Sequence, residues 1–219
     1  MNNLITYVIH YTPLKERKYF QLEQLDKLAL KNNVFIEKYD KEKLKIEDLI
    51  KFDKKKIKLG SISLIRKHIY AMELIQKSNF KYNLVLEDDA ILDKDFVSKL
   101  TRGLKQLPDD YDMLFLGDGC NLHIPLIKRR PYKFIYKKCR EPTNWGGNGG
   151  TRCSDSIIIS QKCATKICNL YESIKINNIN LPIDWWLNQV IRDLKLEIYW
   201  MEPTIVTQGS VTGKFNVSY

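Results

Sequence analysis

Three adjacent carboxylates, Glu87, Asp88 and Asp89, directly follow the apolar run Leu84–Leu86. A continuous apolar run is typical of a strand that is buried on both faces of a sheet. Such a strand delivers its charges to the carboxyl edge of the sheet, where open α/β sheets bind ligands. Adjacent carboxylates repel one another, and a divalent cation that bridges to substrate phosphates relieves the repulsion. The alternative is an acidic turn that caps the next helix; the buried strand favours the metal site.

The segments around this run alternate between strand and helix. Residues 5–9, 14–31 and 34–39 predict strand, helix and strand, which together form a βαβ unit with a parallel pair. Spacing of apolar residues predicts further helices over 60–77, 96–107 and 162–173. Short apolar runs predict strands over 111–117 and 156–160, with strand character over 82–92. The sequence therefore predicts an α/β fold.

Length and composition limit the classes of protein. We expect a chain of 219 residues to form one domain. The best candidate for a boundary within it is the irregular stretch 118–153. The net charge of +10 predicts a surface that attracts phosphates, nucleic acid or anionic glycans, although AT-rich coding also enriches Lys, Asn and Ile. Five cysteines without C-x-x-C spacing favour a reducing compartment. No signal peptide or membrane-spanning apolar run is recognisable.

Several single residues are candidates for chemistry outside the acidic run. Asp184 follows an apolar turn and opens a predicted helix, where a carboxylate suits the helix dipole; the alternative is an N-cap. Trp145 precedes a glycine tract and could stack on a sugar or anchor the loop. His68 lies on a predicted helix, where a lone histidine is more often structural.

The chain resembles glycosyltransferase family 25, which contains lipooligosaccharide and procollagen galactosyltransferases. Six segments carry the resemblance in register: Val8-Ile9 with Glu16-Arg17-Lys18, Gly60 with His68, Leu84–Asp89, Ile157–Ser160, Pro182-Ile183-Asp184, and Pro203 through Gln208. The segment between Gly60 and His68 departs from the family pattern at Ser63, Leu64 and Lys67. Ser210 stands where the collagen-modifying branch has a late histidine, so the chain departs from that branch at a position that could supply a metal ligand.

The resemblance implies a GT-A fold, with a Rossmann-like, mostly parallel central sheet and flanking helices. Residues 1–117 would form the nucleotide-sugar half, and residues 118–219 the acceptor half. It implies that Asp89 and Asp88 hold Mn²⁺ and that Asp184 is the base. The implied donor-binding residues are Val8, Ile9, His10, Tyr11, Thr12, Arg17, His68, Glu87, Asp88 and Gln208. The acceptor-side residues are Trp145, Trp185 and Asp155, the last also competing with Asp184 as the base.

The implied activity is an inverting transfer of a hexose, with galactose favoured, from a UDP-sugar to a hydroxyl group. The acceptor would be a lipooligosaccharide-type glycan or hydroxylysine of a collagen-like protein. The alternatives are another metal-dependent nucleotidyl or phosphoryl transferase, an inactive family member, and a basic nucleic-acid-binding domain. We expect no nucleic-acid partner, because aromatic–basic interleaving and zinc-ligand spacing are both missing. We expect a cytoplasmic or membrane-peripheral protein, or a lumenal one if the chain is part of a longer protein; a homodimer is left open.

Overall fold

Strands and helices alternate along most of the chain. The computed structural model describes residues 2–119 and 121–216; Cys120 and the last three residues of the predicted tail lie outside the described residues. The strands are β1 (Leu4–Ile9), β2 (Asn33–Ile36), β3 (Tyr82–Glu87), β4 (Ala90–Leu92), β5 (Met113–Phe115), β6 (Ile135–Lys138), β7 (Ser156–Ile159), β8 (Ile198–Met201) and β9 (Val206–Gln208). The helices are α1 (Lys15–Lys27), α2 (Ile46–Leu49), α3 (Leu59–Ile75), α4 (Phe96–Leu104), α5 (Gln161–Ser173) and α6 (Ile183–Asp193), with short 3₁₀ turns at Lys41–Lys43 and Leu126–Lys128.

A seven-stranded sheet with the order β2-β1-β3-β7-β5-β8-β6 forms the centre of the fold. Strands β2, β1 and β3 are parallel, as are β5 and β8, whereas β7 and β6 run antiparallel to their neighbours. Five of the seven strands therefore run the same way. The prediction of an α/β fold with a mostly parallel central sheet is confirmed, and the arrangement is compatible with a Rossmann-like fold. The predicted βαβ unit is present as β1-α1-β2.

Helices cover both faces of this sheet. In β3, Val85 packs with α3, α5 and α6 on one face, whereas Leu84 and Leu86 pack with α1 and α4 on the other. All three side chains are fully buried. The apolar run at the centre of the sequence is thus a strand buried on both faces, as its composition predicts.

The predicted strand over 82–92 divides after Glu87, because β4 leaves the main sheet. It pairs antiparallel with β9, and Ala90 lies opposite Gln208 in a separate two-stranded sheet. The acidic residues Asp88 and Asp89 therefore form the turn between two sheets. This turn brings the C-terminal segment of the chain next to the carboxyl edge of β1 and β3.

Two predicted helices are too long. Helix α1 ends at Lys27 rather than near residue 31, because Ala29 adopts a left-handed conformation with φ of 53°. Helix α4 ends at Leu104, three residues before the predicted end. Among the described residues, no helix combines the length and the apolar character needed to cross a membrane.

Candidate active site

The carboxylate of Asp88 is held by the segment that follows β1. Arg17 Nη1 donates to Asp88 Oδ1 at 2.8 Å, and His10 Nδ1 lies 2.8 Å from Oδ2, which also accepts the Tyr11 backbone N–H at 3.1 Å. Burial alone would raise the pKa of this carboxyl, but the hydrogen bonds from His10 and Arg17 hold the pKa below its ordinary value. Asp88 is therefore an ionised group whose two oxygens are both bound by protein donors.

This geometry revises two of the sequence predictions. Asp88 serves to join β1 to the acidic turn, and we no longer assign it as a metal ligand, because both oxygens already have partners. His10 is fully buried beside Asp88, so it positions that carboxylate and does not contact a donor directly.

Asp89 differs from Asp88 in having an unsatisfied oxygen. Its Oδ2 accepts the Ser210 backbone N–H at 3.3 Å, and its backbone carbonyl accepts the Gly209 N–H at 2.8 Å. Its Oδ1 is buried and has no hydrogen-bond partner among the described residues. An unpartnered buried carboxylate oxygen is costly, and a cation would satisfy it.

The residues at this turn fit a divalent cation that is held by one protein carboxylate. Hard cations of this kind often bind through one or two carboxylates and take their other ligands from substrate phosphates and water. Within residues 2–119 and 121–216, no group of three or more His, Cys, Asp or Glu side chains is arranged to hold a metal by itself. Asp89 is therefore the candidate ligand, and substrate phosphates would have to complete the site.

A cavity opens in front of this turn, and we call it the Asp89 cavity. Cations and carboxylates share its wall, because Arg17, Lys41 and Lys67 lie beside Glu87, Asp88 and Asp89. The predicted donor-binding residues that line it are Ile9, Tyr11, Arg17, Glu87, Asp88 and Gln208. Mixed charge of this kind suits a phosphate together with a divalent cation.

Three other predicted donor-binding residues do not line the Asp89 cavity. Val8 is fully buried on the α1 and α4 face of the sheet, so it cannot reach the cavity. Thr12 hydrogen-bonds to Asp40 through its hydroxyl and its backbone N–H. His68 is fully buried on α3, and its Nε2 lies 3.4 Å from Glu87 Oε1. The side chains of Val8 and His68 therefore do not line the Asp89 cavity, and Thr12 shapes the loop after β1.

A buried ion pair that the sequence did not reveal fixes the same edge of the sheet. Lys67 Nζ donates to Asp40 Oδ1 at 2.8 Å and to the His10 carbonyl at 2.7 Å. Burial would raise the pKa of Asp40, but hydrogen bonds from Lys67 and Thr12 hold the pKa below its ordinary value. Ser63 and Lys67 are one helical turn apart within the buried stripe of α3. The sequence signal that could have revealed this buried polar cluster is the presence of polar residues at that spacing within an apolar stripe.

A second cavity adjoins the first, and we call it the Asp184 cavity. It is lined by Ser154, Asp155 and Asp184, and it shares Leu64, Glu87, Gln208 and Ser210 with the Asp89 cavity. Asp184 stands in the first turn of α6, after Pro182 at the N-cap. The two cavities therefore share Glu87, and Asp89 lines one of them whereas Asp184 lines the other.

The carboxyls of the Asp184 cavity differ in acidity. Burial raises the pKa of Asp184 to about 6. Burial also raises the pKa of Asp155 to about 8 and the pKa of Glu87 to about 8, the latter with help from the Asp89 charge. At neutral pH, Asp184 is therefore mostly ionised, whereas Glu87 and Asp155 mostly retain their protons.

The three carboxyls also differ in how their oxygens are hydrogen-bonded. Ser154 Oγ donates to Glu87 Oε1 at 2.6 Å, and Ser156 Oγ donates to Asp155 Oδ2 at 2.8 Å. Asp184 Oδ1 is buried and has no hydrogen-bond partner in the part of the chain that the structure describes. Asp184 thus combines an ionised state with a vacant oxygen, which is what a general base needs.

Gly117 leaves space for the side chain of Asp155, the alternative candidate for the base. A Cβ atom at this position would lie 2.3 Å from Asp155 Oδ2, so a larger residue would displace that side chain. Asp155 packs against Gly117, which follows β5, and is almost fully buried. This packing favours Asp184 over Asp155 as the accessible group.

The two predicted acceptor-side tryptophans occupy different environments. Trp145 packs edge-on against Trp200, with ring centroids 6.0 Å apart, and it lines neither cavity. It anchors the glycine tract, and its predicted sugar-stacking role is withdrawn. Trp185 follows Asp184 on α6 and is about half exposed, so an acceptor contact for Trp185 stays a prediction.

Comparisons with known proteins add no family assignment. No protein-family model matches the chain, and no curated protein matches it. The resemblance to glycosyltransferase family 25 therefore depends on the motifs given above and stays a prediction.

Proposed function

We propose that this protein is a metal-dependent glycosyltransferase of the GT-A type, similar to family 25. It would transfer a hexose, with galactose favoured, from a UDP-sugar to a hydroxyl acceptor with inversion at the anomeric carbon. The observation that carries the proposal is the pair of vacant, buried carboxylate oxygens on Asp89 and Asp184, which lie in adjoining cavities. One cavity suits a diphosphate with a cation, and the other suits a hydroxyl group that must lose a proton.

The donor would bind in the Asp89 cavity. Lys41 supplies positive charge for the diphosphate, and Tyr11 lies on the same wall. Arg17 also lines this wall, but its guanidinium is held by Asp88 and by the carbonyl of Asn216. Asp89 would hold Mn²⁺, which when bound neutralises the charge that develops on the leaving UDP. Asp88 keeps Arg17 in place through the 2.8 Å ion pair between them.

The acceptor would bind in the Asp184 cavity. The Asp184 carboxylate takes the proton from the acceptor hydroxyl as its oxygen attacks the anomeric carbon. The bond between that carbon and the diphosphate oxygen breaks, and the electron pair leaves with UDP. Since Asp184 has a pKa of about 6, it is ionised at neutral pH and basic enough to assist.

The acceptor class follows from the resemblance alone. A lipooligosaccharide-type glycan and hydroxylysine of a collagen-like protein are the two candidates. Both present a hydroxyl group to the base.

The direct experiment measures release of UDP by the purified chain in Mn²⁺. UDP-galactose, UDP-glucose and UDP-N-acetylhexosamines are offered in turn, with and without glycan or hydroxylysine-peptide acceptors. The proposal predicts release with one donor above the others and loss of release in excess chelator. No release with any donor and acceptor would contradict the transferase, and full activity in chelator would contradict the metal. Salt-sensitive binding to random oligonucleotides in place of turnover would support the nucleic-acid alternative.

A further inference from the structure

One exposed loop combines bulky apolar side chains with unpaired cations. It runs from residue 125 to residue 133, and we call it the 125–133 loop. Leu126, Ile127 and Tyr132 have 78%, 93% and 90% of their surfaces exposed. These apolar side chains contribute little to the core, so packing inside the protein does not explain them. Exposed apolar residues in one short segment commonly mark an interaction site.

The exposed cations of the loop have aromatic contacts and no carboxylate partner among the described residues: Lys128 Nζ lies 4.8 Å from the Trp145 ring centroid, and Lys133 Nζ lies 5.0 Å from that of Tyr136. From Asn121 to Arg140 the sequence contains seven Lys or Arg residues and no Asp or Glu. Lys128, Arg130 and Lys133 are exposed, and none of them forms an ion pair with a carboxylate of the described chain. The loop therefore presents apolar and positively charged groups side by side.

The backbone beneath these side chains is firmly held. Arg129 Nη2 lies 3.1 Å from Glu202 Oε1, and the Arg130 N–H donates to the Tyr136 hydroxyl at 2.9 Å. Gln106 Nε2 donates to the carbonyl of Tyr132 at 2.7 Å, where the backbone has a φ of 61°, an uncommon value for a residue other than glycine. The fold thus fixes the backbone from which the apolar side chains extend outward.

We propose that the 125–133 loop binds the surface of an anionic lipid membrane. Leu126, Ile127 and Tyr132 would enter the boundary between headgroups and acyl chains, and Lys128, Arg130 and Lys133 would contact the acidic headgroups. Charge complementarity selects this partner, because a segment without acidic residues is drawn to a negative surface. The three apolar side chains favour lipid over nucleic acid, whose phosphates would leave them exposed. The proposal does not depend on the transferase activity.

The test is sedimentation of the full chain with vesicles. Vesicles of phosphatidylcholine alone are compared with vesicles that also contain phosphatidylglycerol. We expect binding to the anionic vesicles only, and a loss of at least about tenfold in the partition coefficient for the double variant Leu126→Ser with Ile127→Ser. Replacing Lys128, Arg130 and Lys133 with Gln should cost about fivefold for each cation.

Matched control variants separate the loop from the general positive charge of the chain. The double variant Ile46→Ser with Ile176→Ser removes two exposed aliphatic side chains elsewhere on the surface. Replacing Lys54, Lys55 and Lys56 with Gln removes the same number of cations from another exposed segment. Both controls should bind anionic vesicles like the unaltered chain. Every altered side chain is largely exposed, so thermal melting should confirm an intact fold in each variant.

Three results would overturn the proposal. The first is that the chain binds neither the neutral nor the anionic vesicles. The second is equal loss of binding in the loop variants and the control variants. The third is that the loop variants lose affinity for random oligonucleotides but not for vesicles, which would make the 125–133 loop a nucleic-acid-binding surface.

Discussion

Asp184→Asn removes the proposed base while preserving the size of the side chain. General-base assistance contributes about 10²- to 10⁴-fold to a reaction rate. Because Asp184 lies in the acceptor cavity and has no contact with Arg17 or Asp89, the substitution should lower kcat by at least about a hundredfold. The affinity for UDP should stay within a few fold of that of the unaltered protein.

The pH dependence gives this prediction a second, independent readout. Burial raises the pKa of Asp184 to about 6, and the base must be ionised to act. At pH 5 only about a tenth of the free protein molecules carry the ionised carboxylate, so kcat/KM should fall about tenfold below its plateau at higher pH. The residual activity of Asp184→Asn should lack this acidic limb.

The assay is UDP release between pH 5 and pH 9 with the donor and acceptor concentrations varied, so that kcat and kcat/KM are both obtained. Asp193→Asn is the matched control, since it makes the same change at an exposed position on the same helix. That variant should keep the rate and the pH profile of the unaltered protein. Near-normal kcat in Asp184→Asn combined with an inactive Asp155→Asn would show that the wrong carboxylate was chosen. Retained activity in both variants would refute the base altogether.

Three further predictions concern stability and binding. The free energy of unfolding should fall as the pH rises from 5 to 8. The fall should be at most about 1.4 kcal/mol per pH unit for each proton that the protein releases when it unfolds. The reason is that Glu87 and Asp155 have folded-state pKa values of about 8, far above those of the unfolded chain; urea titrations that show rising stability would contradict this. Arg152 Nη2 donates to Glu202 Oε1 at 3.1 Å, and both side chains are buried. Arg152→Met should therefore lower the free energy of unfolding, by less than the ~3–5 kcal/mol of a fully stranded charge because Glu202 keeps its contact with Arg129, whereas Lys27→Met, which breaks the exposed pair with Glu23, should leave the urea midpoint nearly unchanged. Equal urea midpoints for these two variants would argue against the buried pair. His68→Gln should lower the melting temperature and leave the Kd for UDP unchanged, and a weaker Kd with normal melting would restore His68 as a donor contact.

The general position of the candidate site followed from local sequence patterns. The apolar run before Glu87 predicted a strand buried on both faces, and the carboxyl edge of that strand is where the acidic turn lies. Asp184 was expected at the start of a helix and stands in the first turn of α6. Both features depend on neighbours in sequence, which is why the residues alone could predict them.

The division of roles among the carboxylates depended on tertiary contacts. Asp88 is saturated by Arg17 and His10, more than seventy positions away in the chain. The departure of β4 to pair with β9 places Ser210 next to Asp89. Residues so distant in sequence leave no periodic signal, so the sequence could not distinguish the positioned carboxylate from the vacant one.

The central claim is that the Asp89 cavity binds the donor, whereas the Asp184 cavity contains the base. A calorimetric titration tests this claim most directly. UDP is titrated in Mn²⁺ into the unaltered protein, Asp89→Asn and Asp184→Asn. The account predicts that Asp89→Asn weakens UDP binding by at least about tenfold and that Asp184→Asn binds UDP within a few fold of the unaltered protein. Unchanged binding in Asp89→Asn, or a loss confined to Asp184→Asn, would contradict it.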